Sequence, residues 1–219
     1  VDVVNKKVKT VTIAKKTVND YLGIPKFQSD LAERTTKPGV VTGMAWTAAG
    51  GDILFVESSK MRGKGLLTLT GQLGDVMKES AAAAFTYVKS HTDILGLKED
   101  FAEKMDIHVH CPAGAIPKDG PSAGVGMFTS LVSLLTDKPV KSKLSMTGEI
   151  TLRGNVLAIG GVKEKVTAAH RAGIRTIILP FANKRDLEEI PEHIKKDLKF
   201  HFAKEVMDVI DVAIPDLKK

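Results

Sequence analysis

Gly, Pro and polar breakers cut this chain into short apolar segments that alternate between strand and helix spacing, and this alternation limits the fold to one that layers helices on sheet. Residues 39–58, GVVTGMAWTAAGGDILFVES, read as a hairpin: an apolar run, a turn at Gly50-Gly51-Asp52, then a strand over Ile53–Glu57. Leu66–Thr70 reads as a strand. Asp75–Lys89 is a helix, with Val76, Ser80, Ala83, Ala84 and Val88 at helical spacing. DIHVHC (106–111) alternates as a strand, and PAGAIPKDG (112–120) is loop. Residues 121–136 are an apolar helix, with Asp119 or Gly120 as N-cap and Pro121 in the first turn, where a missing N–H does no harm.

KLSMTGEIT is then a strand ending near Gly148. Val162–Ala172 is a helix closed by Gly173, IRTIILP a buried strand, and Asn183–Ile190 a helix capped by Asn183. FHFA is a strand, and Lys204–Ala213 a closing amphipathic helix. The predicted class is α/β in its α+β form, with mixed sheets packed by helices. Upstream, a short strand around Val8, Val11 and Ile13 leads into a helix over Ala14–Leu22, stopped by Gly23 and Pro25. The polar, Pro-terminated KFQSDLAERTTKP is a linker signature. The predicted organisation is an N-terminal piece over 1–26, a linker over 27–38 and a globular body over 39–219.

Composition narrows the function classes. At 43% hydrophobic and 26% charged, the chain is neither a disordered nor a collagen-like sequence. Its single cysteine, Cys111, excludes an internal disulfide and a zinc-finger set, and a reducing compartment is the default. No apolar run is long enough to span a membrane and no signal peptide is visible, so the expected location is the cytoplasm, with no membrane partner. The chain opens VDVVNKKVKT without an initiator Met, which reads as a fragment or processed product. Six lysines stand in residues 1–26 against Asp2 and Asp20, out of a net charge of +6. A solvated helix face explains them; weak nucleic-acid binding is the competing reading. Few aromatics interleave with them, so a stacking platform is not expected.

The stretch with chemical content is Pro117-Lys118-Asp119-Gly120-Pro121-Ser122-Ala123-Gly124. A Ser at a helix start sits among unpaired backbone N–H groups and the positive end of the helix dipole, where an oxyanion can be held. Ala123 and Gly124 let a substrate backbone approach closely. Ser122 is equally readable as an ordinary helix-start residue. GPSAG also matches the nucleophile elbow of a Ser-His-Asp α/β-hydrolase, with Asp137, Asp186 or Asp197 and His170, His193 or His201 as partners. Against that, the residues before Ser122 contain two prolines and cannot be a central strand. Lys163 and Lys165 open the helix of IGGVKEKVTAAHRAG, and Lys165 falls beside its apolar side. A lysine in a dry pocket loses its proton more easily, and only the neutral amine can take one from Ser; both lysines are also readable as solvated.

PKDGPSAG (117–124), MTGEITLRG (146–154), IGGVKEK (159–165) and PFANKRDLEEIP (180–191) together resemble the proteolytic domain of bacterial Lon, the ATP-dependent protease. DYLGIPKF (20–27), GDVMKES (74–80) and DIHVH (106–110) extend the likeness over most of the chain. The resemblance implies a serine endopeptidase with a Ser-Lys dyad: Ser122 as nucleophile, Lys165 as base and Thr147 as the hydroxyl that holds the lysine. Asp119, Gly120 and Ala123 are read as supporting residues around Ser122; the flexible composition of the 112–120 loop would let Asp119 cover Ser122 as a plug when no substrate is present. It also implies a Glu57–Arg153 charged pair beside the substrate groove.

His108 and His110 share one face of a strand, and hydrogen bonding close to the dyad is preferred over metal binding. No metal is expected. Cys111 reads as a small buried hydrophobe, and Trp46 as groove wall or core. Ala113 stands where the family pattern has Glu, and Cys111 where it has an apolar residue. The resemblance further implies unfolded polypeptide substrates, a hexameric ring, and an ATPase module that uses ATP and Mg. Residues 1–25 resemble the end of that module's small helical subdomain. No G-x-x-x-x-G-K-[ST] occurs, so no cofactor is expected on this stretch, which is expected to cleave small peptides weakly and without ATP. An inactive assembly module with an unformed site is the non-enzymatic alternative.

Overall fold

The computed structural model describes residues 5, 10–14, 16–23, 37–47 and 50–218. The chain divides into two compact units, Val1–Asp30 and Leu31–Lys219. In the first, the described residues 10–14 are irregular rather than a strand, and the helix is only α1 (Val18–Leu22), closed by Gly23. Val8 and most of the expected linker lie outside the described residues.

The second unit is built on a seven-stranded mixed sheet in the order β3-β4-β2-β1-β5-β8-β9. These strands are β1 (Val40–Thr47), β2 (Gly50–Arg62), β3 (Leu67–Thr70), β4 (Met105–His110), β5 (Leu144–Met146), β8 (Thr176–Pro180) and β9 (Lys199–Ala203). A separate two-stranded ribbon joins β6 (Glu149–Ile150) to β7 (Val156–Leu157). The β4-β2-β1 centre is antiparallel, while β5, β8 and β9 run parallel to β1.

Helices cover both faces. On one side α2 (Asp75–Ser90), α4 (Gly124–Thr136) and α7 (Val206–Ala213) pack with Val41, Leu54, Val56, Ile107, Val109, Met146 and Ile178. On the other, α5 (Val162–Arg171) and α6 (Glu192–Asp197) pack with Met44, Ile177 and Leu179. Strand alternation explains the division: Ile178 enters one core and its neighbours Ile177 and Leu179 the other, so β8 is apolar on both faces as IRTIILP predicts. A short α3 (Phe101–Lys104) precedes β4.

Several boundaries differ from the sequence reading, each for a local reason. The β1–β2 register pairs Thr47 with Gly50, so Gly50, Gly51 and Asp52 are strand residues; residues 48–49 lie outside the described residues. Gly51 is needed for packing: a Cβ there would stand 2.0 Å from the Glu164 carbonyl oxygen of α5. β2 runs on past Glu57 through polar SSKMR because β4 pairs with it as far as Arg62–Met105. KLSMTGEIT breaks at Thr147-Gly148 into β5 and β6. Asn183 is not a helix cap. It lies buried within a 3-10 segment, Phe181–Glu189, where its amide donates to Ile159 O (2.9 Å) and accepts from Ile159 N–H (3.0 Å). This pair ties down the irregular Ile159-Gly160-Gly161 segment that leads into α5. Helix α7 begins with a capping box between Glu205 and Asp208.

Gly51→Ala is expected to lower stability by at least about 2 kcal/mol, since α5 must retreat from β2 or bend to admit the methyl. Urea unfolding of the variant beside wild type measures it.

Candidate active site

Ser122 does not sit in an α-helix. The expected helix over 121–136 starts with a 3-10 turn, Pro121–Ala123, before α4 takes over at Gly124. Gly120 is its N-cap, at φ 117°, and Ala123 packs against the core below. The turn is fastened to the β5–β6 break. Ser122 O accepts from Gly148 N–H (2.9 Å) and from the Thr147 hydroxyl (3.0 Å), and Val125 N–H donates back to Gly148 O (3.0 Å). Such contact requires a bare backbone at Gly124, where a Cβ would lie 2.5 Å from the Ile150 side chain.

Lys165 approaches from the opposite helix layer. It lies one turn into α5, 3% exposed, with Val162, Val166 and Ala169 on the buried side of the same helix. Its Nζ reaches Thr147 Oγ1 at 3.5 Å, and Thr147 is itself 1% exposed. The threonine hydroxyl has one proton, and that proton goes to Ser122 O. Thr147 must therefore accept from the amine. Burial pulls the Lys165 pKa down from 10.5 to about 8. Thus one hydroxyl joins the lysine to the serine turn. Among the described residues the amine makes no hydrogen bond to Ser122 Oγ itself.

Asp119 is neither the cap of the Ser122 helix nor a plug over it. One carboxylate oxygen accepts from Met77 N–H (3.0 Å) and Gly120 N–H (2.8 Å), so it caps α2, whose own N-cap, Gly74, has no side chain to offer. Lys118, not singled out by sequence, donates to the carbonyls of Gly71, Ala113 and Ile116 at 2.8–3.0 Å. With the Leu73–Lys118 bridge it staples the 112–120 loop to the end of β3. Ala113 holds φ 66° within that loop. The only advance signal for Lys118 was its place in a Pro- and Gly-rich stretch.

His108 Nε2 and His110 Nδ1 both bond Thr70 Oγ1, at 2.7 Å each, on the outer strand pair β3–β4. The partner they find is Thr70 and not the Ser122–Lys165 pair. Glu57 lies opposite His110 across β2–β4. Arg153 stands exposed at the tip of the β6–β7 ribbon, and its guanidinium makes no ion pair among the described residues, so the expected Glu57–Arg153 pair is not formed. No cluster of three or more metal-ligating side chains occurs among the described residues. Cys111 is fully buried, with its thiol pushed up to about 11 by burial, which leaves it inert. Trp46 is 59% exposed and lies over Gly161 at the start of α5.

A Ser-His-Asp arrangement is not assembled. His170 and Asp197 do pair, at 2.8 Å, but at the last turn of α5 on the surface, with no bond to Ser122. No strand runs into Ser122. Of the N-terminal lysines, Lys16 alone falls within the described residues. No helix among the described residues is long and apolar enough to cross a membrane.

A buried lysine and a serine turn are thus joined through one threonine, between two helix layers on a mixed sheet. A family model, the Lon protease (S16) C-terminal proteolytic domain, matches residues 12–216. The chain is 59% identical over 195 residues to Lon protease of Desulfosudis oleivorans (89% of this chain, 24% of that protein). It is 58% identical over 205 residues to Lon protease of Anaeromyxobacter dehalogenans (94% and 24%), and 54% identical over 214 residues to Lon protease 2 of Myxococcus xanthus (98% and 26%). The chain belongs to the Lon protease family and is its C-terminal proteolytic domain, a serine peptidase. It spans about a quarter of the length of these relatives.

Burial of Lys165 has a thermodynamic consequence with a definite sign. Its pKa is about 8 folded and 10.5 in water, so between these values the unfolded chain binds more protons. Stability then rises with pH across that window, and the burden of the charge is fully present below about pH 8. Lys165→Met is expected to be more stable than wild type at neutral pH by up to about 3 kcal/mol, with the gap closing toward alkaline pH. Chemical unfolding at both pH values measures it.

Proposed function

We propose that Ser122 is the nucleophile and Lys165 the general base of peptide-bond hydrolysis. The supporting observation is the nearly solvent-free Lys165 amine, held by the same Thr147 hydroxyl that fixes the Ser122 carbonyl. Because Thr147 accepts one N–H of the neutral amine, the lone pair points elsewhere and is free for the Ser122 hydroxyl. As Oγ forms its bond to the substrate carbonyl carbon, its proton passes to Lys165 and the carbonyl π electrons move onto oxygen. Backbone N–H groups of the first turn, which lack intrahelical partners, hold that oxyanion; Pro121 has none to give. The C–N bond then breaks and Lys165 returns the proton to the leaving amine. Water, deprotonated by Lys165, attacks the acyl ester and releases Ser122.

The substrate is an unfolded polypeptide, lying extended along an exposed strand edge as an added strand. In the full-length protein, ATP and Mg act on a separate ATPase module, the assembly is a hexameric ring and the setting is the cytoplasm. Residues 1–26 are the end of the ATPase small subdomain and 27–38 a linker.

Intact mass after treatment with a fluorophosphonate tests the dyad, on wild type, Ser122→Ala and Lys165→Ala from about pH 6 to about pH 9. One adduct is expected on wild type alone, its rate rising through about pH 8. Lys165→Ala labelling at the wild-type rate at neutral pH would refute the assignment.

A further inference from the structure

Thr42 is 1% exposed, and its Oγ1 is buried without a hydrogen-bond partner among the described residues. A buried hydroxyl left without a partner destabilises the fold, so a partner for it is to be sought nearby. Strand geometry gives its direction. On β1, Val41 enters the α4-side core and Met44 the α5-side core, so Thr42 shares the face of Met44. The β1–β5 register pairs Gly43 with Met146, and Met146 belongs to the α4 side. Ser145 and Thr147 therefore face α5 as well, beside Thr42 and Met44. Three hydroxyls thus line the sheet face onto which α5 lays Lys165.

The lysine has capacity to match. A neutral amine carries two N–H donors and one lone pair. One donor goes to Thr147, and in the function proposed above the lone pair serves Ser122. The second N–H is shut off from bulk water, since the residue is 3% exposed. Ser145 Oγ donates to Thr42 O at 3.0 Å and keeps its own acceptor sites. A buried water needs two to four polar partners, roughly what these groups supply.

We propose that Thr42 is a positioning residue for Lys165: one buried water, bonded to Thr42 Oγ1, Ser145 Oγ and Lys165 Nζ, takes up the second N–H and leaves the lone pair only the direction of Ser122. The inference rests on Lys165 being the base. The elements packed against α5 carry Asp52, Glu57, Lys60 and Arg62 on β2, Lys184, Arg185, Asp186, Glu188 and Glu189 in the 3-10 segment, and Glu192, His193, Lys195, Lys196 and Asp197 on α6; of the β2 groups, Glu57 shares the α5-side face of Ile53 and Phe55. Asp186 is held by Asn183 and Asp197 by His170, and burial is the one cause acting on the amine.

The test combines peptidase kinetics with NMR titration of the Lys165 side chain in Thr42→Val and Thr42→Ser. Losing the water removes an acceptor that favours the ammonium. Thr42→Val is expected to raise the amine's acid dissociation constant about threefold or more and to lower kcat several-fold with KM little changed. Thr42→Ser is expected to restore both. A wild-type titration and kcat in Thr42→Val would overturn the inference, as would a serine variant that behaves like the valine one. If the valine variant does not fold, Thr42→Ala gives the same readings. The titration needs no activity, which separates the two claims: a fully active Lys165→Ala defeats the dyad, whereas an inactive one beside an unaltered Thr42→Val defeats only the role of Thr42.

Discussion

The carbonyl of Ser122 is the junction on which the site depends. It accepts two donors from the β5–β6 break, the Gly148 N–H and the Thr147 hydroxyl. With Val125 N–H donating to Gly148 O, the first turn before α4 is locked to the end of the interior strand β5. Two lone pairs on one oxygen accommodate both donors without strain. The consequence reaches across the sheet, because the same Thr147 hydroxyl then has only acceptor capacity left for Lys165. The polarity of one short chain of hydrogen bonds, from amine to hydroxyl to carbonyl, thereby decides where the lysine lone pair can point.

Maintaining a lysine in that position requires a dry wall around it. Helix α5 supplies one by lying close on β2, which Gly51 permits, and by burying Val162, Val166 and Ala169 beside the amine. Asn183 holds the backbone of Ile159 just ahead of the helix, so α5 starts from a fixed point. The burial that lowers the amine's pKa also weakens the fold near neutral pH. A less enclosed lysine would favour stability over a low pKa.

Much of this was legible in the sequence. Apolar alternation located most elements, and the strongly apolar 124–134 and 176–180 segments fell where expected because burial on several sides leaves a dense signal. Ser122, Lys165 and Thr147 stand out through the resemblance that their motifs carry, and in the structure the Thr147 hydroxyl links the Lys165 amine to the Ser122 carbonyl. Less visible were contacts made across long sequence distances. Gly51 reads as a turn residue until α5 is seen resting on it. Asp119 reads as a cap for the helix next to it in sequence, yet it caps α2, whose first turn lacks a capping side chain. The charged pair expected of Glu57 and Arg153 depends on how a strand and a ribbon tip meet, which no local pattern encodes. His108 and His110 found Thr70 because parallel β3 pairs with β4, a register invisible to the spacing of either strand alone.

The most direct measurement is the rate of fluorophosphonate labelling of Ser122 near pH 8 in Thr147→Val and Thr147→Ser, with folding confirmed by circular dichroism. Valine keeps the shape and removes the hydroxyl, so the lysine loses its guide and the Ser122 carbonyl one of its donors. Labelling is expected to fall at least about tenfold in the valine variant, in line with the loss of one buried hydrogen bond, and to persist in the serine variant. Wild-type labelling of a folded Thr147→Val would contradict it.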